Sequence, residues 1–494
     1  MNSLLLAIDQ GTTGTKVLLS DENATVIEDF TEEFDQSYPK PGWVEHDLDQ
    51  IWKTVLKGIK AVTDAQEPRK IAAIGITNQR ETICFWSRST GSPLAPAIVW
   101  QDRRTASQCQ ALKNQGLEKT IQEKTGLLLD PYFSATKIAW ALENWGVVER
   151  ALKSGDLAMG TIESYLISRL TQGKGHFTEP SNASRTLCYD LKKGAWDEEL
   201  TKIFKVPIEC LPTIKPSIGE FAKTKGVEGL PDGIPVTGVL GDQQSALMGQ
   251  TCFQEGQAKC TYGTGAFLLL NTGSTPVYSR HKLLTTVAWR DQNHEDTFAL
   301  EGSTFIAGAA VQWLRDGLKM IKTAKEVEAL ALEVESSEGV VVVPCFTGLS
   351  APYWDPEARA SITGITRGTT RAHIARATLE GIALQNTDLL TAMKKDLKKP
   401  LLTLNVDGGA AANDFLMQFQ SDVLDVKLVR PKYLGTTSMG AIFAAGLGCG
   451  LWKDFEAVKQ AWEKDQDFEP KMTSKERQDT LAQWDLAIRR TRLR

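Results

Sequence analysis

Two glycine- and threonine-rich turns, one in each half of a 494-residue chain, are the segments best built to grip phosphate. The first is Asp9-Gln10-Gly11-Thr12-Thr13-Gly14-Thr15-Lys16, entered from the apolar run 4–8 and left through 17–19. The second is Tyr262-Gly263-Thr264-Gly265, followed by Ala266, Phe267 and the run 268–270. Glycine lets a backbone turn sharply and approach a phosphate, while threonine hydroxyls and bared amides donate to its oxygens. Neither turn is a Walker loop or a G-x-G-x-x-G fingerprint, so the two commonest phosphate motifs are excluded. A single turn of this kind is ordinary hairpin chemistry, whereas a pair implies a two-lobed nucleotide enzyme with its cleft between the lobes.

Phosphoryl transfer to an alcohol also needs a base near the attacking hydroxyl, a divalent ion, and donors around the transferred group. Asp242 is the candidate base, because it stands where an apolar run, 234–240, meets a helical segment, 243–249. A carboxylate at such a junction either points into a cleft or caps its helix, and the local sequence leaves both open. Asp9 likewise reads as a turn-stabilising aspartate or as a magnesium partner. Arg80-Glu81 alone reads as a surface ion pair, and Trp100 and Phe267 as core aromatics.

The elements that would position these residues are legible from hydrophobic period. Strands are predicted over 4–8, 16–19, 25–30, 71–76 and 234–240, with a helix over 48–62. After about residue 250 the pattern restarts: hairpin, strand 297–300, helix 306–318, strand 339–344, helix 373–394, strand 401–406, and a helix beginning near Asn413. Strand–glycine–helix units following a hairpin meander in both halves imply a diverged duplication. Ligands in open α/β sheets sit at strand ends of the kind seen at Thr77-Asn78-Gln79-Arg80-Glu81.

Composition narrows the class: 42% hydrophobic and 24% charged residues suit a soluble globular protein of two or three domains. Net charge is -5 and the pI near 5.8, with scattered Lys and Arg, which argues against nucleic acid or an anionic membrane as partner. Eight cysteines without a C-x-x-C pair and five unclustered histidines argue against a disulfide framework or a transition-metal centre. No apolar stretch approaches the roughly 20 residues of a membrane span, and no basic region precedes 4–8. A reduced cytoplasmic enzyme is the expectation.

Longer stretches add specificity: 38–47 (Tyr-Pro-Lys-Pro-Gly-Trp-Val-Glu-His-Asp), 76–82 (Ile-Thr-Asn-Gln-Arg-Glu-Thr), 130–134 (Asp-Pro-Tyr-Phe-Ser), 181–186 (Ser-Asn-Ala-Ser-Arg-Thr), and Phe346-Thr347-Gly348-Leu349 with 351–356. Together they resemble the FGGY family of carbohydrate kinases, over almost the whole chain from Ile8 to about Gly450. The resemblance implies an α/β protein of two ribonuclease H-like, actin/hexokinase-type lobes, 1–250 and 251–494, around an interdomain cleft with a hinge near 249–256. It implies ATP-dependent phosphorylation of glycerol to sn-glycerol 3-phosphate with magnesium, a pentulose or another polyol being the alternative substrate. Gly241-Asp242-Gln243-Gln244 corresponds to the catalytic motif. Arg80, Glu81, Tyr132, Asp242 and Gln243 would supply polar contacts to the polyol, with Trp100 and Phe267 as apolar wall. Thr12, Thr13, Gly14, Lys16, Thr264, Gly308, Gln312, Gly409 and Asn413 would hold the nucleotide, and Asp9 with Asp242 the magnesium. A homodimer or homotetramer is the implied assembly. The chain departs from the pattern at Gly14, often serine, and at Lys16, often arginine. The segment 223–233 lacks the Gly-Gly-Thr-Arg loop that some members use for fructose 1,6-bisphosphate, and 209–233 contains no histidine to accept a phosphoryl group.

Overall fold

Residues 4–8 are buried on both faces, which only the interior of a sheet accommodates. In the computed structural model, which describes residues 3–64 and 70–493, they form the strand Leu4–Gln10 at the centre of a six-stranded sheet. The order across that sheet is Ile218–Lys223, Pro235–Gly241, Ile71–Asn78, Leu4–Gln10, Gly14–Ser20, Val26–Glu33. Leu4–Gln10 pairs antiparallel with Gly14–Ser20 and parallel with Ile71–Asn78, which in turn runs parallel to Pro235–Gly241. The register Ile8↔Ile76 and Val239↔Ile76 brings the ends of three parallel strands, at Asp9, Thr77 and Leu240, to one edge.

The second half repeats this plan in a seven-stranded sheet. Gln257–Tyr262 pairs antiparallel with Ala266–Gly273, and that strand with Asp296–Thr304. On its other side Gln257–Tyr262 runs parallel to Thr403–Asp407, which is parallel to Leu428–Pro431. Hairpin, third antiparallel strand, two parallel strands and an antiparallel edge recur in both sheets, as the restarting sequence pattern implies. One strand at the far edge, Leu284–Arg290, has no counterpart in that expectation. Helix lengths follow local chemistry: Leu48–Thr63 starts where Asp47 accepts from the backbone N–H groups of Asp49 and Gln50. The helix expected over 306–318 is shorter, Gly308–Asp316: Ala307 lies outside the helical region at φ -132°, ψ -92°, and the amides of Ala307 and Gly308 bond to the carbonyls of Thr264 and Gly263.

A third, five-stranded sheet, of which the hydrophobic period gave no warning, is inserted in the first half. Its order is Gln36–Ser37, Glu45–His46, Ala97–Ile98, Ile83–Ser87, Leu157–Thr161. The end of Ala97–Ile98 delivers Trp100, and the entry to Ile83–Ser87 delivers Arg80 and Glu81.

The helix Thr436–Gly448, late in the second half, lies on the first sheet, with Ala441, Ile442, Ala444 and Ala445 in one core with Leu5, Ala7, Ala73 and Leu240. The seam is closed by glycines: a Cβ on Gly440 would stand 1.8 Å from the Ser245 carbonyl oxygen, and one on Gly249 would stand 2.0 Å from that of Thr436. Alanine in a helix interior gains roughly 1 kcal/mol over glycine, but overpacking costs about 1–3 kcal/mol and a backbone oxygen cannot rotate away. Gly440→Ala is therefore expected to lower the thermal unfolding midpoint. A midpoint at or above that of the unsubstituted protein would show that the seam has slack.

Candidate active site

The first hairpin is tight. Gly11 donates its backbone N–H to the Gly14 carbonyl at 2.9 Å, and a Cβ at Gly14 would stand 2.9 Å from the Glu32 carbonyl oxygen. A bare glycine therefore suits this strand pairing where the resemblance leads one to look for serine. Thr13 is exposed, and the Trp100 indole N–H donates to Thr12 Oγ1 at 2.9 Å, tying the aromatic wall to the turn. Lys16 is engaged within the protein: its ammonium pairs with Asp29 at 2.6 Å and donates to the Tyr433 hydroxyl at 2.8 Å.

The second hairpin presents Thr264 to solvent on strands whose far side is core. Its carbonyls anchor the start of the helix carrying Gly308 and the exposed Gln312, at 2.9 Å for Gly308 N–H to Gly263 O. Gly408, at φ 88°, comes so close to this hairpin that a Cβ would stand 2.5 Å from the Tyr262 carbonyl oxygen. Beside it a Cβ on Gly409 would meet nothing within 4 Å, so open space lies over that residue. Asn413 caps the helix Asp414–Leu424 by accepting from the Leu416 amide at 2.8 Å. Thr264, Gly308, Gln312, Gly409 and Asn413 thus belong to one connected group of turns and helix starts.

Arg80 and Glu81 are not a surface pair; both are buried, in a charge network that crosses the two halves. Arg80 donates two bonds to Glu301, one of them 3.1 Å from Nη2 to Oε1, and its Nε stands 2.9 Å from Asp242 Oδ1. Arg185 Nε donates to Glu81 at 2.6 Å and Nη2 to Glu301 at 3.0 Å. Burial alone would raise the Glu301 carboxyl, but the Arg185 and Arg80 guanidiniums outweigh it and hold it at about 2. Glu81, whose carboxylate accepts from Arg185, is pushed the other way, since burial there exceeds the pull of the cations. Glu81 also sits at φ 63° in a turn closed by the Thr82 N–H on the Arg80 carbonyl at 2.7 Å. A non-glycine residue in that region is strained, and strain of this kind collects at functional sites. Tyr132 packs edge-on against Trp100 at 5.5 Å, and burial drives its phenol up.

Asp242 is the first residue of the helix Asp242–Gly249, whose N-cap position is Gly241 and which has no side-chain cap; its Oδ1 accepts the Gln243 N–H at 2.7 Å. Its Oδ2 takes no hydrogen bond among the described residues, so the helix-cap reading does not hold and one oxygen stays uncommitted to protein donors. Asp9 receives the Ser438 hydroxyl at 2.7 Å; burial raises its carboxyl to about 6, Ser438 works against the rise, and the neighbouring charge of Asp242 adds to it. Two carboxylates close enough to repel, Asp9 with an oxygen uncommitted to protein donors, form a set suited to a hard, water-retaining cation. No group of three or more His, Cys, Asp or Glu side chains that could hold a metal ion exists among the described residues.

Sequence reasoning missed Lys259, Glu301, Asp407 and Ser438. Phe267 lies on the strand between those of Lys259 and Glu301: its cross-strand partners are Thr261 and Ser303, and the next pair along that face is Lys259 and Glu301 across Leu269. Lys259 is fully buried and donates to Gln243 Oε1 and, at 3.0 Å, to Thr261 Oγ1. Asp407 accepts from Gln250 and Thr436, both at 2.7 Å. Burial lowers the Lys259 ammonium and raises the Asp407 carboxyl, and each charge opposes the other's shift.

Two sheets of matching topology, each with a glycine–threonine hairpin at its heart, define the two-lobed actin/hexokinase-type α/β class. Within that class the sequence is specific: residues 4–249 match the N-terminal domain, and 258–449 the C-terminal domain, of the FGGY family of carbohydrate kinases. The chain belongs to that family. It is similar to a glycerol kinase of Myxococcus xanthus, 53% identical over 98% of this chain and 99% of the relative. A glycerol kinase of Bdellovibrio bacteriovorus is 51% identical over 99% of each chain. The crystal structure of Plasmodium falciparum glycerol kinase with ADP superposes with a TM-score of 0.95 at 39% identity, over 100% of this chain and 99% of that one.

Proposed function

We propose that this chain transfers the γ-phosphoryl group of ATP to glycerol, giving sn-glycerol 3-phosphate. The observation that carries the reading is its likeness, at half identity and full length, to glycerol kinases. Glycerol is small and uncharged, so its site must offer a hydrogen-bond partner to each hydroxyl and an apolar wall to the carbon edge. Arg80, Glu81, Tyr132, Asp242 and Gln243 supply the partners; Trp100 and Phe267 supply the wall. Asp242 Oδ2 takes the proton of the terminal hydroxyl as its oxygen attacks the γ-phosphorus in line, while Arg80 on Oδ1 keeps the carboxylate from rotating away. Thr12, Thr13, Gly14 and Lys16 hold the terminal phosphates from one lobe, with Thr264 opposing them from the other. Gly308, Gln312, Gly409 and Asn413 receive the nucleoside, the open space over Gly409 accommodating the purine.

Asp9 and Asp242 would hold magnesium, which when bound neutralises charge on the phosphate oxygens. The lobes divide near residue 250, closing to exclude water from the reacting phosphate. A cytoplasmic homo-oligomer completes the proposal; no helix among the described residues is long and apolar enough to cross a membrane.

A coupled assay of ADP release across glycerol, dihydroxyacetone, xylulose and ribulose tests the substrate. Glycerol is expected to have the highest kcat/KM, and a pentulose preferred over it would overturn the assignment in favour of another FGGY kinase.

A further inference from the structure

Lys259 is an anomaly in its strand. Gln257–Tyr262 is a central strand of the second sheet, flanked by Ala258 and Cys260 in the core, yet it carries a charged side chain with no exposed surface. Such a charge is costly to bury and persists only where its hydrogen bonds are met. Two of its partners are Gln243 Oε1, across the divide between the halves, and Thr261 Oγ1 on its own strand; the carboxylate of Asp407 supplies the compensating charge.

An ammonium has three donors and no acceptor, whereas a glutamine amide has an acceptor at one end and donors at the other. The end of Gln243 that meets Lys259 must therefore be the oxygen. That leaves Nε2, which makes no hydrogen bond among the described residues, as the group Gln243 offers outward from the half-exposed start of its helix. Gln243 lies next to Asp242 in the chain, and its backbone is tied to that carboxylate.

We propose that Lys259 is a positioning residue that locks the Gln243 amide in one orientation, so that the site presents only N–H donors there and holds the polyol hydroxyl it meets by that hydroxyl's oxygen. This rests on the reading of Gln243 as a substrate contact. A hydroxyl that accepts from Nε2 keeps its own proton free to donate, and Asp242 is the adjoining acceptor. The pair thus selects the direction of the hydrogen bond as well as its presence.

The test compares Q243A, Q243E, K259M and the double variant Q243A/K259M, with KM and kcat measured separately for glycerol and for ATP. Q243E keeps a group for Lys259 to bind but replaces the donor by an acceptor. It is expected to raise the glycerol KM at least about tenfold, as far as Q243A or further, the size expected for a lost hydrogen bond with repulsion added. K259M is expected to raise the glycerol KM severalfold while the ATP KM stays within about twofold. The double variant is expected to match Q243A, because residues acting through one another are not additive. A purely structural Lys259 would instead shift both KM values and add its full effect to that of Q243A, which overturns the proposal. Q243E binding glycerol as well as the unsubstituted enzyme does the same, and needs no change at Lys259 should K259M fail to fold. An unchanged glycerol KM in Q243A would be a different failure: it removes Gln243 from the substrate site and the proposal with it.

Discussion

Replacing Asp242 with asparagine is expected to lower kcat at least about a hundredfold, the lower range for losing an acid–base group. The substitution is nearly isosteric, and the amide oxygen can still accept from the Gln243 N–H and stand beside the Arg80 guanidinium that now pairs with Oδ1. Local geometry therefore persists and the ATP KM should change little, while the glycerol KM should rise, because an amide N–H2 then stands where Oδ2 accepts the hydroxyl. The fall in kcat itself reads the lost transition-state interaction. Steady-state kinetics on the purified variant decide it: turnover near that of the unsubstituted enzyme would remove Asp242 from the role of base.

The second large effect is expected at Glu301, which is not among the predicted site residues but pairs with one of them, Arg80. Its carboxylate is shared by Arg80 and Arg185, and all three side chains are nearly or fully buried. Removing one partner of a buried ion pair costs about 3–5 kcal/mol, because the other charge is left uncompensated. Glu301→Gln should therefore lower the urea midpoint markedly and let Arg80 drift from Asp242. The effect has a signed pH dependence. Glu301 titrates at about 2 in the fold against 4.5 as its ordinary value, so its contribution is complete above 4.5 and is lost as the pH falls toward 2. The stability gap between the unsubstituted protein and E301Q should be widest near neutrality and shrink below pH 4.5. A gap that is constant from pH 7 to 3 would mean that the carboxylate's charge is not what the network uses.

The parts legible in the sequence are those encoded by neighbours. Residues 4–19 declare a hairpin through two apolar runs and a Gly-Thr turn, and residues 234–249 declare a strand feeding a helix with Asp242 at the joint. Resemblance, not local pattern, drew attention to Arg80, Glu81 and Trp100, since an Arg-Glu dipeptide gives no sign of whether it is solvated. What escaped reading depends on contacts between residues far apart in the chain. Glu301 meets Arg80 across 221 positions, and Ser438 meets Asp9 across 429. A usable signal did exist: Lys259 and Glu301 are charges whose immediate neighbours are small or apolar, Ala258-Lys259-Cys260 and Leu300-Glu301-Gly302. A charge that the strand period turns inward asks for a partner of opposite sign. The inserted five-stranded sheet escaped for a different reason, because its shortest strands are two residues long and carry no measurable period.

Synthesis from the N-terminus meets a delay built into this architecture. The helix Thr436–Gly448 covers a face of the first sheet, yet it emerges some two hundred residues after the last strand of that sheet, Pro235–Gly241. At about 5–20 residues per second, the ribosome leaves Leu5, Ala7, Ala73 and Leu240 without their lid for roughly 10–40 seconds. Nascent chains arrested before residue 436 should accordingly be cut by protease throughout the first half, and chains extended past 448 should resist. Protection already complete in the shorter chains would mean that the early half matures unaided.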